Sequence, residues 1–244
     1  MNTAEYKRVY VWQLAVRFFH WINALCIIVL IATGLIIADP PAFMSSKEAS
    51  FSFWFGYIRM IHFTFAYIFV AVMLLRIYWA FAGNKFANWR VFFPFDKKGF
   101  HRMWHIIKYD ILLQNEDQYD FKNINTGHNS VAAASYIAMF FLALIMIITG
   151  FSLYADNSTW FLPKIFHSIV TFFTSDEILV RNIHHISMWA FVLFIFVHVY
   201  LVFFHDWLEG RGESSSMVSG YKFVRKAQLE ESKIATEQPI TDEN

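Results

Sequence analysis

Four long apolar stretches constrain this chain more than anything else in it: residues 16–38, 58–82, 131–155 and 184–207. A helix crossing the hydrocarbon of a bilayer needs roughly 20 predominantly apolar residues, because lipid cannot satisfy an exposed backbone. Each stretch meets that length. The first three contain no Asp or Glu, and the fourth only Asp206, beside its end. Composition agrees, with 57% of the 244 residues hydrophobic and 16% charged, against about a quarter charged in a soluble domain. The first stretch is too long for a secretory signal and lacks a small-residue cleavage site, so it reads as a retained span. The expected fold is all-α: a transmembrane four-helix bundle over residues 1–208, then a polar tail over 209–244 whose end, QLEESKIATEQPITDEN, reads as disordered.

Loop charges orient the bundle. Counting Arg17 at the edge of span 1, Lys and Arg number 15 in the N-terminal stretch, the loop between spans 2 and 3, and the tail, against 3 in the other two connections. Positive charge stays in the cytoplasm, so both termini and the long middle loop are expected there. Within that loop, GFHRMWHIIKYDILL (99–113) alternates apolar and basic residues at helical spacing and reads as an interfacial amphipathic helix. The net charge of +1 gives no case for a nucleic-acid partner. A single cysteine, Cys26, excludes an intrachain disulfide and any cysteine-bound cluster within the chain; it reads as packing, as do Met60, Met73, Met139 and Met146.

The histidines carry the chemistry. Polar side chains at membrane depth are costly and usually face a cofactor, a cavity or a partner. His184 and His198 are 14 residues apart; at about 100° and 1.5 Å per residue they share nearly one helix face, about 21 Å apart along the axis. His185 is about 140° from His198 around the same helix, which favours His184 while leaving its neighbour as the alternative. Two face-sharing histidines so far apart suit two stacked haems rather than one ion. Antiparallel topology supplies each second ligand by depth: His62 with His184 on the outer side, His20 with His198 on the inner side. Without a Cys-x-x-Cys-His sequence the haems would be b-type.

Haem propionates need cations. Arg17 and Arg59 each lie one turn before a candidate ligand, and Arg76 lies at inner depth; each is a candidate clamp, although the membrane interface also favours basic residues. Gly34 and Gly150 could admit a porphyrin edge or simply close helix packing. They sit in a faint internal repeat: IATGLIIAD against IITGFSLYAD, and Arg59-x-x-His62 against Arg181-x-x-His184, each His followed 14 residues later by a basic residue. His128 and Asn129 follow Gly127 at the inner start of span 3, where Asn129 or Ser130 could cap the helix.

The chain resembles the cytochrome b subunit of membrane-bound uptake [NiFe] hydrogenases. The resemblance rests on His20–Trp21, GYIRMIHF (56–63), RIYWAFAGN (76–84), GHN (127–129), MIITGFSLY (146–154), His184 with Met188–Trp189, HVY (198–200) and MVSGYK (217–222). One departure is Ser130 after GHN, where relatives often carry proline. The resemblance implies two b haems with His184 as the outer ligand. It implies a bacterial inner membrane, a periplasmic small subunit with iron–sulfur clusters, a large subunit with the nickel–iron centre where hydrogen is split, and electrons delivered to menaquinone or ubiquinone in the lipid. For that quinone His128 and Asn129 are the candidate contacts, His128 as hydrogen-bond partner and proton relay and Asn129 as donor. Related subunits anchor formate dehydrogenases, which is the alternative within electron transfer. A non-haem transporter using paired histidines is the alternative from another class; it predicts broken helices or acidic residues within the spans.

Overall fold

The computed structural model describes residues 6–42, 53–84, 87–89, 130–209 and 212–225. Four helices are long and apolar enough to cross a membrane: α1 (Leu14–Ala38), α2 (Trp54–Ala82), α3 (Ser130–Tyr154) and α5 (Glu177–Glu209). They are accompanied by the shorter α4 (Phe161–Phe173) and α6 (Glu213–Ser219), and by strands β1 (Tyr6–Tyr10) and β2 (Tyr221–Arg225). The four expected spans are therefore present. The interfacial helix expected at 99–113, the quinone candidates His128 and Asn129, and the tail beyond 225 lie outside the described residues.

Two compact units can be distinguished. The first comprises Phe18–Ala82 and Tyr136–Val197. Its core takes one or two side chains from each long helix: Cys26 from α1, Phe69 and Met73 from α2, Ala143 from α3 and Phe191 from α5. Cys26 is fully buried there, as the packing role requires. Met73 joins this core and Met139 and Met146 pack against it; Met60 departs from that pattern and is exposed.

Polarity in this unit is distributed as lipid demands. Apolar residues such as Leu25, Ile28, Leu74 and Phe196 are exposed, while Thr33, Arg76, Thr149, Ser152 and Ser187 are buried. With hydrocarbon outside, burying apolar surface gains little, and a hydroxyl is best placed where another helix can bond it.

Helix ends depart from the apolar stretches where capping, rather than hydropathy, sets the boundary. Helix α5 begins seven residues before His184, at Glu177. There Asp176 Oδ1 accepts from the Ile178 and Leu179 amides at 2.9 and 3.2 Å, satisfying two of the first turn's orphan donors. Helix α3 closes through a 3-10 turn at Ala155–Asn157. Helix α4, between α3 and α5, was not apparent in the apolar pattern. It buries Pro163 and packs Phe166 against Phe151, ring centroids 5.6 Å apart.

The second unit comprises Met1–Arg17, Gly83–Ser135 and His198–Asn244. Its described residues tie the start of the chain to the MVSGYK segment near the end. Strands β1 and β2 pair antiparallel, from Tyr6 opposite Arg225 to Tyr10 opposite Tyr221. Beyond the pair, the Val11 and Trp12 amides both donate to the Gly220 carbonyl, at 2.9 and 3.1 Å. Trp12 Nε1 donates to Ser216 Oγ at 3.2 Å, the Lys222 ammonium lies 5.4 Å above the Trp12 ring, and Arg17 donates to the Val218 carbonyl. Asn84 joins by donating from its side chain to the Val11 carbonyl at 3.0 Å.

Gly220 turns this segment into β2 with φ +86°, where a Cβ would lie 2.7 Å from Tyr10 and 2.8 Å from the Trp12 carbonyl oxygen. Gly220→Ala should therefore destabilise the strand pair by about 1–3 kcal/mol and speed protease cleavage within residues 1–12. Gly56→Ala, with nothing within 4 Å of the added carbon, should leave cleavage unchanged.

Candidate functional site

The site grows from two short sequences of the internal repeat, Thr33–Gly34 on α1 and Thr149–Gly150 on α3. Each threonine is buried and lies beside a histidine on the following long helix. Thr33 Oγ1 is 2.8 Å from His62 Nδ1, and Thr149 Oγ1 is 2.9 Å from His184 Nδ1. Each hydroxyl also donates to the carbonyl four residues back on its own helix, Val29 or Ile145, at 2.6 Å. An unbonded hydroxyl or imidazole in hydrocarbon would be costly; here each partner answers the other.

The glycines make the approach possible. A Cβ on Gly34 would meet His62 Cε1 at 3.4 Å, and one on Gly150 would meet His184 Cε1 at 3.0 Å. Any side chain at Gly150 would press into the imidazole, whereas Gly34 leaves ordinary contact distance. His62 and His184, paired by depth in the sequence, both lie in the first unit. Among the described residues no three His, Cys, Asp or Glu side chains gather as a metal-ion site. Pairs of histidines suit an iron whose other four ligands belong to a porphyrin.

The other candidates have distinct surroundings. His185 is half-buried, and its Nε2 is buried without a hydrogen-bond partner among the described residues, so it carries none of the threonine contact that His184 has. His20 is half-buried beside Trp21, ring centroids 5.1 Å apart and perpendicular; His198 lies on α5 in the other unit.

Arg59, one turn before His62, reaches over the Phe63 ring at 5.8 Å. It lines a cavity of about 490 Å³ with Met60, Thr64, Tyr67, Tyr154 and Asn157. Arg76 is buried with its guanidinium 5.0 Å above the Tyr136 ring, so a propionate there would share the guanidinium with that ring. Arg17 is engaged by the Val218 carbonyl.

Tyr136, Thr33 and Thr149 are site residues that residue-type reasoning missed. The two threonines had a signal, since each precedes the glycine of the repeat; Tyr136 had none, because its partner is 60 positions away in the sequence.

A bundle of four membrane-length helices that sets a histidine against a buried threonine hydroxyl in two places is the framework of a helical membrane cytochrome. The chain belongs to the prokaryotic cytochrome b561 family, whose profile matches residues 11–220. It is similar to the "Probable Ni/Fe-hydrogenase 1 B-type cytochrome subunit" of Escherichia coli (strain K12), 34% identical over 217 residues, 87% of this chain and 90% of that protein. It is also similar to proteins named "Probable Ni/Fe-hydrogenase B-type cytochrome subunit". That of Cupriavidus necator is 36% identical over 222 residues, 88% of this chain and 87% of that one. That of Rhizobium leguminosarum bv. viciae is 33% identical over 227 residues, 91% of each.

A b-type cytochrome carries haem b, and the residues present fit that group: imidazoles with Nδ1 already bonded, a glycine against each ring, and at Gly150 a place where a side chain would crowd it. Gly150→Ala should lower haem content per purified chain, read from the reduced-minus-oxidised visible spectrum, and Gly34→Ala should do so less.

Proposed function

We propose that this chain is the membrane subunit of a [NiFe] hydrogenase, passing electrons from hydrogen oxidation to the quinone pool. The relatives' names support the hydrogenase partner over a formate dehydrogenase. The observation that carries the reading is the doubled Thr–His–Gly arrangement at His62 and His184. Bound haem b supplies reversible one-electron iron chemistry, and two such groups at different depths would connect the two sides of the membrane. The chain's own residues hold and insulate these groups: His62 and His184 as outer ligands, His20 and His198 as inner ligands. Arg59, beside its cavity, would neutralise an outer propionate, with Arg17 and Arg76 serving the inner group.

Hydrogen would be split on a periplasmic large subunit, with its electrons arriving through iron–sulfur clusters of a small subunit docked at the outer side. The termini and the 83–129 loop would face the cytoplasm of a bacterial inner membrane, as the 15-to-3 charge asymmetry requires. Residues 1–208 would form the cytochrome domain, with 209–244 as its cytoplasmic tail. Menaquinone or ubiquinone would be reduced near the inner haem, where His128 would relay a proton to the quinone oxygen and Asn129 would donate a hydrogen bond.

Haem quantification per chain tests the ligand set. The parent should hold two haems. His62→Ala and His184→Ala should each lose the same one, and His20→Ala and His198→Ala the other, while His185→Ala retains both. Loss of the outer haem in His185→Ala but not in His184→Ala would reassign that ligand. His128→Ala should retain both haems and their reduction by hydrogen yet slow quinone reduction at least about 100-fold, the scale of a lost general acid–base group; unchanged quinone turnover would remove His128 from the site.

A further inference from the structure

Two threonines that no feature of the ligand set calls for sit at equivalent places in the two helix pairs, and their hydrogen bonds determine a chemical state. A threonine hydroxyl has one proton to give and lone pairs with which to accept. Thr33 gives its proton to the Val29 carbonyl at 2.6 Å, with a longer approach to the Leu30 carbonyl at 3.4 Å. Thr149 gives its proton to the Ile145 carbonyl at 2.6 Å, with the Met146 carbonyl at 3.4 Å. Carbonyls only accept, so both hydroxyl protons are committed to the backbone. Toward the imidazoles, 2.8 and 2.9 Å away, each oxygen can then only accept. The proton must therefore sit on Nδ1 of His62 and of His184, and in a neutral ring this leaves Nε2 as the bare lone pair.

We propose that Thr33 and Thr149 are positioning residues that fix both outer imidazoles in the Nε2-ligating tautomer and tune the iron they share. The inference rests on the assignment of His62 and His184 as haem ligands, and it goes further by naming the groups that make them competent. Orientation follows from the same contacts. The oxygen anchors Nδ1, which restrains ring rotation, and the adjacent glycine leaves room for Cε1 in that orientation. An acceptor on Nδ1–H also makes the ring a stronger donor to the metal. A stronger donor favours ferric over ferrous iron, so these hydroxyls should hold the potential of the outer haem down. Each acts through a histidine and touches neither the iron nor an electron donor.

Thr33→Val and Thr149→Val keep shape and remove the acceptor; Thr→Ser at either position restores it. Each variant is made in the full chain, purified from membranes with its haem, and followed by optical redox titration and by the low-spin ferric electron paramagnetic resonance signal. Each valine variant should show the outer haem more easily reduced, with about a tenfold higher ratio of reduced to oxidised form at fixed poise, equivalent to about 59 mV for a one-electron couple. The low-spin signal should shift, the double variant should move further in the same direction, and the serine variants should return to the parent values. Valine variants that retain haem at the parent potential and signal would overturn the proposal. If a valine variant loses the haem, the serine variant decides: parent-like haem and potential support the hydroxyl's role, and loss in serine too overturns it. A parent that binds no haem, or an outer haem that survives His62→Ala and His184→Ala, would instead refute the ligand assignment beneath the inference.

Discussion

Two hydroxyl–imidazole hydrogen bonds, Thr33 to His62 and Thr149 to His184, are the interaction on which the site depends. In water such a bond would compete with solvent and matter little. Within a membrane the ring nitrogen has no solvent to fall back on, and each bond ties one long helix to the next: α1 to α2, and α3 to α5. Interhelical bonds of this kind contribute only about 0.6 kcal/mol on average. Their consequence here is chemical more than energetic, since they settle which nitrogen carries the proton. Gly34 and Gly150 belong to the same device, because each lies against the ring that the neighbouring hydroxyl holds, and a side chain at Gly150 would crowd it.

The rest of the bundle unit is arranged around that requirement. Its core, with Cys26, Phe69, Met73, Ala143 and Phe191, is apolar and tightly drawn from all four long helices, while the buried hydroxyls and Arg76 face inward. Helix packing in lipid cannot rely on water to drive apolar surfaces together, so small residues, sulfur-containing side chains and interior polar pairs such as Arg76–Tyr136 share the task. The other unit solves a different problem. Trp12, Ser216, Gly220 and Lys222 clasp the chain's first strand to its last, so the MVSGYK motif is part of a folded clasp.

The internal repeat gains a physical meaning from these contacts. The strings IATG and IITG are short enough to match by chance, yet both threonines adopt the same bonding, with the i−4 carbonyl on one side and a histidine Nδ1 on the other. The equivalence is not perfect. The added Cβ would stand 0.4 Å closer to the ring at Gly150 than at Gly34, at 3.0 against 3.4 Å, and α4 follows α3 with no described counterpart after α1.

Much of this was legible in the residues. Four spans follow from apolar length alone, since a bilayer tolerates few other solutions; helix period and antiparallel depth offer His62 and His184 as candidates. Other features were not legible. The start of α5 at Glu177 depends on an aspartate cap that hydropathy does not weigh, and the pairing of β1 with β2 joins residues more than 200 positions apart. Thr33 and Thr149 looked like ordinary span residues, because a threonine's role depends on where its single proton goes. By itself, then, the sequence determined which segments can live in lipid and which polar residues must be explained there, because both follow from local composition and period. Only the tertiary structure decided how those residues are answered, because a hydrogen bond between helices depends on the few tenths of an ångström by which two backbones approach.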